Sequence, residues 1–420
     1  MEQPLVLLIS IASWTHRERA VEPSKRAHEL LEEAGLKVFG PHKPITKLEE
    51  APKTTERFDV TVVFVASGGS AELAAHLVKD RKALMWAYHE NNSLPSALSA
   101  RERLVAENAW RGQILYNNLT CAPKEIVTEA QATRLLRNLK EAKIGLVGDE
   151  EDLKAFSLDV EMLKTVFSIE IALVSIDRLK AEWAKAPEDE AEKIVNTRLA
   201  KCEVVEPSKR DLIKATRLYL ALKQIVKEDK LDIITFECFR FLKRTGALPC
   251  IAFSLLNDEE VNAACEADLR AATLMLIFRL LTGRPSWIAN LVQIDSKLGT
   301  ITLSHCTAPI SLAEPGRNII VRSHFESGQS VSLDIPLKRN FVTLVNMQTK
   351  PTKLTVITGE VVDSQMGHLT ICRTQAKIKP TGKIEPLIEQ TGNHQVLAYG
   401  DWSHLFLKLA DKIGIMAVKV

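Results

Sequence analysis

The sequence predicts an α/β protein with two N-terminal domains built on parallel sheets and a C-terminal domain of mostly antiparallel β-structure. Up to about residue 281, short apolar runs alternate with segments of helical periodicity, which is typical of parallel strands covered by helices. After about residue 282, short β-branched segments follow one another between Gly, Pro, Asn and Asp residues, which is typical of antiparallel strands. A length of 420 residues also favours two or three domains.

The first predicted domain covers residues 1–142. Strands are predicted at 5–11, 60–66 and 83–87, and helices at 24–34 and 71–79. The apolar run at 5–11 follows Glu2 rather than a basic region, so it predicts a first strand and not a signal peptide.

A loop with Gly68 and Gly69 lies between a strand and a helix of this first domain. The amides of such a loop and the helix N-terminus can hold an anion or sugar hydroxyls. A tight strand-to-helix turn explains the glycines equally well. The loop lacks the G-x-G-x-x-G pattern and the phosphate-loop Lys, so the sequence argues against dinucleotide binding.

The second predicted domain covers residues 143–281. It begins with a strand at 143–148, passes a charged connector at 184–192, and includes a helix whose start is capped by Ser208 with Asp211. Near its end, Glu266 and Asp268 stand at the beginning of an amphipathic helix. Acidic residues favour a helix N-terminus electrostatically, which explains both without any chemistry.

The third predicted domain covers residues 282–420. Antiparallel strands are predicted at 330–335, 341–346, 353–357 and 367–372, and a closing helix at 402–413.

Composition excludes several classes of function. Lys and Arg number 55 against 53 Asp and Glu, and 5% of residues are aromatic, so no basic surface with aromatics is available for nucleic acid. No stretch reaches the roughly 18 apolar residues that cross a bilayer, so no membrane association and a cytoplasmic location are expected. The seven cysteines are scattered without a C-x-x-C pair, which predicts reduced thiols.

Three segments resemble the L-fucose isomerase and L-arabinose isomerase family. They are the C-I-A-F-S-L-L to L-T-G segment at 250–283, S-H-C-T-A-P at 304–309, and G-N-H-Q-V-L-A-Y-G-D from 392. The resemblance implies a metal-dependent aldose-ketose isomerase that acts on a free pentose or 6-deoxyhexose. The implied cofactor is Mn²⁺ or another divalent cation such as Mg²⁺ or Co²⁺.

The same resemblance implies a set of site residues. Glu266 matches a glutamate that binds the metal and transfers protons, His394 a second ligand, and His305 an additional histidine ligand of the arabinose-type enzymes. Asn290 stands where the fucose-type enzymes carry a metal-binding aspartate. From the residues alone, carboxylate and amide oxygens with tolerated imidazoles suit Mn²⁺ or Mg²⁺, so the four form a credible mixed set. A lone histidine such as His394 is more often structural.

Isomerisation through a cis-enediol needs a base near C2, and Glu266 can supply one. Asn290 cannot accept a proton in the way a second carboxylate would. Asp268 and Asp295 are the nearest carboxylates in sequence that can replace it. Two alternatives stay open: a different proton route or sugar, and a non-catalytic sugar-binding protein that has lost turnover.

Further substrate contacts follow from the resemblance, in which the N-terminal domain covers the active site of a neighbouring subunit. It implies a homo-oligomer, a trimer or hexamer, with Trp86, Asn92 and Ser93 as candidate lid or substrate-binding residues. An ordinary polar loop explains these three equally well. Trp402, near the late glycine loop, is a further candidate for contact with a sugar. Capping of the C-terminal helix by Asp401 explains this segment slightly better.

Overall fold

A computed structural model describes residues 3–54, 56–259 and 261–420 and confirms the predicted fold class. The chain forms two compact units, one ending at Leu136 and the other covering Arg137–Val420. The second and third predicted domains therefore lie together in the second unit, where residues from both share one hydrophobic core. No helix in the part of the chain that the structure describes has the length and apolar character needed to cross a membrane.

The first unit is built on a five-stranded parallel sheet. Its strands β1–β5 are Leu5–Ile11, Lys37–Phe39, Val60–Val65, Leu84–Tyr88 and Ile114–Asn117, and its helices α1–α4 are Val21–Glu33, Ala71–Arg81, Ser93–Ala106 and Lys124–Leu139. The strand order is β2-β1-β3-β4-β5. Two separate hydrophobic cores include side chains from alternate positions of the strands, as expected for a sheet that is buried on both faces.

The second unit begins with a four-stranded parallel sheet in the order β10-β9-β6-β7. Strands β6–β10 are Lys143–Gly148, Glu170–Ser175, Glu203–Val204, Ile233–Phe236 and Asn262–Cys265. Helices α5–α12 are Glu150–Ala155, Ser157–Phe167, Ile176–Lys185, Glu188–Arg198, Lys209–Asp229, Cys238–Thr245, Cys250–Asn257 and Leu269–Thr282. The predicted capping box of Ser208 and Asp211 is present at the start of α9.

The rest of the second unit contains a closed antiparallel barrel. Strands β11–β19 are Trp287–Asp295, Thr300–His305, Ile320–Arg322, Ser332–Asp334, Phe341–Thr349, Thr352–Ser364, Thr374–Pro380, His394–Tyr399 and Met416–Lys419, and helices α13 and α14 are Leu387–Gln390 and Ser403–Ile413. Six strands follow the order β15-β18-β11-β12-β17-β16, and pairing of β15 with β16 closes the ring. Such closure leaves these six strands without a free edge.

Smaller elements complete the second unit. Strand β19 adds to β16 in parallel, and β14, β13 and β8 form a separate small sheet. Short 3-10 turns lie at Trp14–His16 and Leu48–Glu50 in the first unit and at Ile310–Leu312 in the second.

One predicted strand of the third domain is wrong. The segment 367–372 is a loop, and the strand starts only at Thr374. Gln365 and Gly367 have φ values of 57° and 73°, in the left-handed region that extended strands do not use. The turn conformation therefore overrides the β-branched composition.

Candidate metal and active site

Glu266 follows directly after β10, at the carboxyl edge of the parallel sheet of the second unit. Glu266 and Ala267 both have left-handed backbone conformations, with φ values of 60° and 51°. Each such residue costs about 1–2 kcal/mol for an L-amino acid. The turn is held because the Ala267 amide donates to the Phe236 carbonyl at 3.0 Å and the Ala267 side chain is fully buried.

The two histidines come from barrel strands on either side of β11. His305 is the last residue of β12, and His394 is the first residue of β18. Ser304 and His394 both lie opposite Asn290 of β11. The register therefore places both histidines at nearly the same height along β11, with ring centroids 5.7 Å apart.

Both imidazoles face the carboxylate of Glu266. The His305 Nε2 atom is 3.6 Å from Oε1, and the His394 Nε2 atom is 3.5 Å from Oε2. These separations are too long for good hydrogen bonds. Both Nε2 atoms are buried and have no hydrogen-bond partner, which costs free energy unless something else binds them. About a third of the Glu266 side chain is exposed, so the cluster is open on one side.

The charge state of Glu266 suits a ligand or a base. Its contact with His305 lowers the pKa of the carboxyl group below the usual value, and the proximity of His394 adds to this effect. Burial and the nearby Asp268 oppose the shift without cancelling it. Glu266 is therefore an anion at neutral pH.

Asp268 links the helix start to His394. Its Oδ1 atom accepts hydrogen bonds from the amides of Arg270 and Ala271, at 3.0 and 2.9 Å, and so caps α12. Its Oδ2 atom lies 2.9 Å from His394 Nδ1. With Nδ1–H donating to this carboxylate, the Nε2 atom that faces Glu266 carries a lone pair. One oxygen of Asp268 thus forms the helix cap predicted from the sequence, and the other oxygen contacts the site.

Burial alone would raise the pKa of Asp268, but the hydrogen bond with His394 and the charge of Arg270 hold it below the usual value. The Arg270 Nε atom lies 3.4 Å from Asp268 and 3.3 Å from Asp159. Asp268 is therefore an anion that is already engaged by three donors. The structure gives it the position of a group that orients His394 and leaves little room for a role in proton transfer.

The donor set of Glu266, His305 and His394 fits a divalent cation. The two imidazole nitrogens face the two oxygens of one carboxylate, and the carboxylate behind His394 is the arrangement that orients metal-binding histidines. Asn290 lies opposite His394 in the strand register, and its amide oxygen accepts from Asn393 Nδ2 at 3.0 Å. Asn290 is thus next to the cluster, and its oxygen already has a partner.

The structure does not bring Asp295 or Trp402 to this cluster. Asp295 accepts from the amides of Lys297 and Leu298, at 3.0 Å each, in the turn between β11 and β12. His305 is at the other end of β12, roughly 16 Å away at about 3.3 Å per residue. Trp402 lies beyond the far end of β18 from His394, and its Nε1 atom donates to the Tyr399 carbonyl at 2.9 Å.

In the first unit, two of the three predicted substrate-contact residues belong to the interior. Trp86 is fully buried, packs edge-on against Phe64 with ring centroids 5.1 Å apart, and donates to Asn117. Ser93 is fully buried and bridges β3 and β4 through Val65 and Tyr88. Neither side chain is exposed in the structure, and the lid or substrate-contact role of both residues stays a prediction. Asn92 is exposed in a left-handed conformation before α3, and its role stays a prediction.

Sequence reasoning missed two thiols that lie against Glu266. The Cys238 and Cys265 sulfur atoms are 2.8 Å apart, both thiols are free, and the Glu266 amide donates to Cys238 Sγ at 3.5 Å. The seven cysteines looked scattered along the chain. The available signal was topological, since Cys238 and Cys265 lie at the carboxyl ends of two neighbouring parallel strands, β9 and β10.

The relatives found by comparison with known proteins share one name, sulfoquinovose isomerase. A sulfoquinovose isomerase from Clostridium sp. (strain MSTE9) is 25% identical over an alignment of 445 residues that covers 96% of each chain. A sulfoquinovose isomerase from Priestia megaterium (strain ATCC 12872 / QMB1551) is 26% identical over 302 residues, which cover 70% of this chain and 67% of that protein. A third, from Alkalicoccus urumqiensis, is 24% identical over 284 residues. No protein-family model matches the chain.

These relatives are sugar isomerases by name, as the sequence resemblance implied. The name is not L-fucose or L-arabinose isomerase, so the finer part of that resemblance is not supported by the comparison.

Proposed function

We propose that the chain is a metal-dependent aldose-ketose isomerase whose site is formed by Glu266, His305 and His394. The observation that carries the proposal is the pair of buried, unpartnered Nε2 atoms that face the two oxygens of Glu266. The similarity to proteins named sulfoquinovose isomerase supports the isomerase class and a sugar substrate.

The chemistry requires that a proton leave C2 of the aldose and return at C1 of the ketose through a cis-enediol. Glu266 is the group that takes this proton, because its carboxylate is anionic and partly exposed. A bound Mn²⁺ would polarise the carbonyl and neighbouring hydroxyl oxygens of the sugar. Asp268 positions His394 by fixing which ring nitrogen carries the proton.

The substrate is a free pentose or 6-deoxyhexose, and sulfoquinovose, the sugar in the name of the relatives, is the first one to test. The L-fucose and L-arabinose of the sequence resemblance are the next. The competing function is a sugar-binding protein without turnover, which Asn290 favours because it replaces a carboxylate. We further propose a cytoplasmic homo-oligomer, a trimer or hexamer, which light scattering at micromolar concentration tests.

The decisive experiment incubates the purified protein in D₂O with sulfoquinovose, L-fucose or L-arabinose and follows ketose formation and C2 deuteration by NMR. We expect ketose with solvent deuterium at C1, solvent deuterium at C2 of the remaining aldose, and metal analysis of protein prepared without chelator to find Mn²⁺. Glu266→Gln should abolish both signals. Asp295→Asn is the matched control, because it removes a carboxylate at the end of the β11–β12 hairpin that is far from His305. Metal retention and sugar binding without deuterium exchange in the parent protein would favour the binding protein instead.

A further inference from the structure

We propose that the chain holds a second cation site for thiophilic metals, formed by Cys265, Glu266 and His305 with the Cys238 thiol beside them. This site overlaps the one described above and uses a different set of donors. Its expected occupants are Zn²⁺ and Cd²⁺.

Geometry is the first support for this site. The Cys265 sulfur, a Glu266 carboxylate oxygen and a His305 ring nitrogen all lie within 4.8 Å of one another. His305 is 3% exposed, and its Nε2 atom has no hydrogen-bond partner. This nitrogen therefore faces the cluster with its bonding capacity unused.

The second thiol makes the set suitable for a soft ion. Cys238 Sγ is 2.8 Å from Cys265 Sγ, and both cysteines are free and at least 95% buried. Sulfur, imidazole and carboxylate are ligand types of zinc sites in proteins, and the mutually close donors are Cys265, Glu266 and His305, with Cys238 next to Cys265. Thiolate ligands select zinc-like ions, whereas Mn²⁺ and Mg²⁺ favour oxygen.

Binding at this site exchanges protons for metal. Each thiol must lose its proton to become a ligand, so a metal bound by both cysteines releases two protons to solvent. No electron transfer is involved, and both sulfurs remain at the thiol level of oxidation.

Occupation has a consequence that rests on the proposed function. Glu266 and His305 belong to both donor sets, whereas His394 belongs only to the Mn²⁺ set and the cysteines only to the thiophilic set. A bound Cd²⁺ therefore removes the base and one Mn²⁺ ligand together. We expect micromolar Cd²⁺ or Zn²⁺ to inhibit the isomerase and a chelator to reverse the inhibition.

The test is a titration of the full chain with Cd²⁺ in the presence of a phosphine reductant. The readout is the ultraviolet charge-transfer absorbance of cadmium thiolate. The parent protein should show a saturable band at one equivalent. Cys265→Ala should lose the band, and Cys238→Ala should halve it and weaken binding at least tenfold. His394→Ala should keep the band while it loses Mn²⁺, which separates this proposal from the proposed function.

Two cysteine controls make the assignment specific. Cys121→Ser removes an exposed thiol in the first unit and should change nothing. Cys306→Ala removes another buried thiol of the second unit and should keep the band. The proposal is overturned if the parent shows no band, or if the band survives Cys265→Ala and disappears in Cys306→Ala. Inhibition that the reductant reverses and a chelator does not would indicate thiol oxidation and overturn it as well.

Discussion

Two turns of this molecule occupy equivalent places and differ in how their polar groups are used. The turn at 66–70 leads from β3 into α2 in the first unit, and the turn at 266–268 leads from β10 into α12 in the second. Each follows the carboxyl end of a parallel strand, where α/β proteins commonly bind ligands.

The first turn is internally satisfied. The Ser67 hydroxyl accepts from the Ser13 amide at 3.0 Å, and the Ser70 hydroxyl donates to the Ser67 carbonyl at 2.7 Å. The Gly68 amide donates to Asn91 at 2.7 Å. Among the described residues, no buried side-chain polar atom of this turn lacks a partner. The glycine loop therefore has the structure of a tight connection.

The second turn has the opposite character. It points a carboxylate at two buried imidazole nitrogens that no other group of the described chain binds. The difference teaches that the partners of buried polar atoms, more than glycine content or position in the sheet, distinguish a structural turn from a functional one.

The strongest test of this contrast removes the carboxylate of the second turn or an imidazole that faces it. Glu266→Gln and His394→Ala should each lower turnover by about 100-fold to 10,000-fold, the range of a general acid-base contribution, and should abolish Mn²⁺ retention. Steady-state assays and metal analysis measure these effects, and circular dichroism checks that the fold is intact. Either variant with parental turnover and full metal content would refute the site.

A smaller effect is expected from the group behind His394. Asp268→Asn keeps a side chain that caps helices well, but it replaces the acceptor that fixes the His394 ring. Loss of such a partner typically costs 10-fold to 100-fold in metal affinity or activity. Mn²⁺ titration measures the change, and Asp149→Asn, at the cap of α5, is the matched control. An unchanged Mn²⁺ affinity would reduce Asp268 to a helix cap.

Asp268 should also change how the stability of the fold depends on acidic pH. The pKa of Asp268 in the folded protein lies below its usual 3.8, so its ionised form stabilises the fold above that pH, and the contribution disappears as pH falls through the lower folded value. The stability difference between the parent protein and Asp268→Asn should therefore stay constant above about pH 4 and shrink as the pH falls below it. Urea unfolding at about pH 5 and about pH 3 measures it, and a difference that does not shrink would contradict the hydrogen-bonded Asp268 carboxylate.

Asn290→Asp should moderately strengthen Mn²⁺ binding at the site beside the second turn. The new carboxylate keeps the acceptor for Asn393 and adds a negative charge beside His394, which should tighten Mn²⁺ binding several-fold, or about 1 kcal/mol for a partly screened charge. Asp295→Asn should leave Mn²⁺ binding unchanged because of its distance. If instead Asp295→Asn destroyed activity while Asn290→Asp had no effect, the proton route would run through Asp295.

The smallest expected effect lies in the first turn. Ser70→Ala removes a buried hydroxyl that donates to Ser67 and lies near Ser96, so it should lower the free energy of unfolding by about 1 kcal/mol. Mn²⁺ retention and turnover should remain at the parental level. A large loss of activity without a loss of stability would show that the glycine loop contributes to the site after all.

The sequence predicted best the elements that are set by local composition. The strand at Lys143–Gly148 has the predicted bounds, because a continuous apolar run in a sheet buried on both faces is marked by its own residues. The loop at 367–372 was missed because its φ angles depend on a turn that composition does not encode.

The site was predictable only in part, and through resemblance. Glu266, His305 and His394 are far apart in sequence, and the register of β12 and β18 on β11 brings the two histidines together. No spacing rule contains that register, so Asp295 appeared as close to the site as Asp268. The buried state of Trp86 and Ser93 likewise depends on packing against β3, which lies outside their own segment.

The left-handed backbone of Glu266 and Ala267 has a consequence for engineering. Glycine adopts such angles without steric cost, so a search for thermostable variants would be drawn to Ala267→Gly. The same change would free the segment that fixes the direction of the carboxylate. Relief of the backbone angle is therefore set against the loss of a buried methyl group and of a fixed carboxylate at this one position.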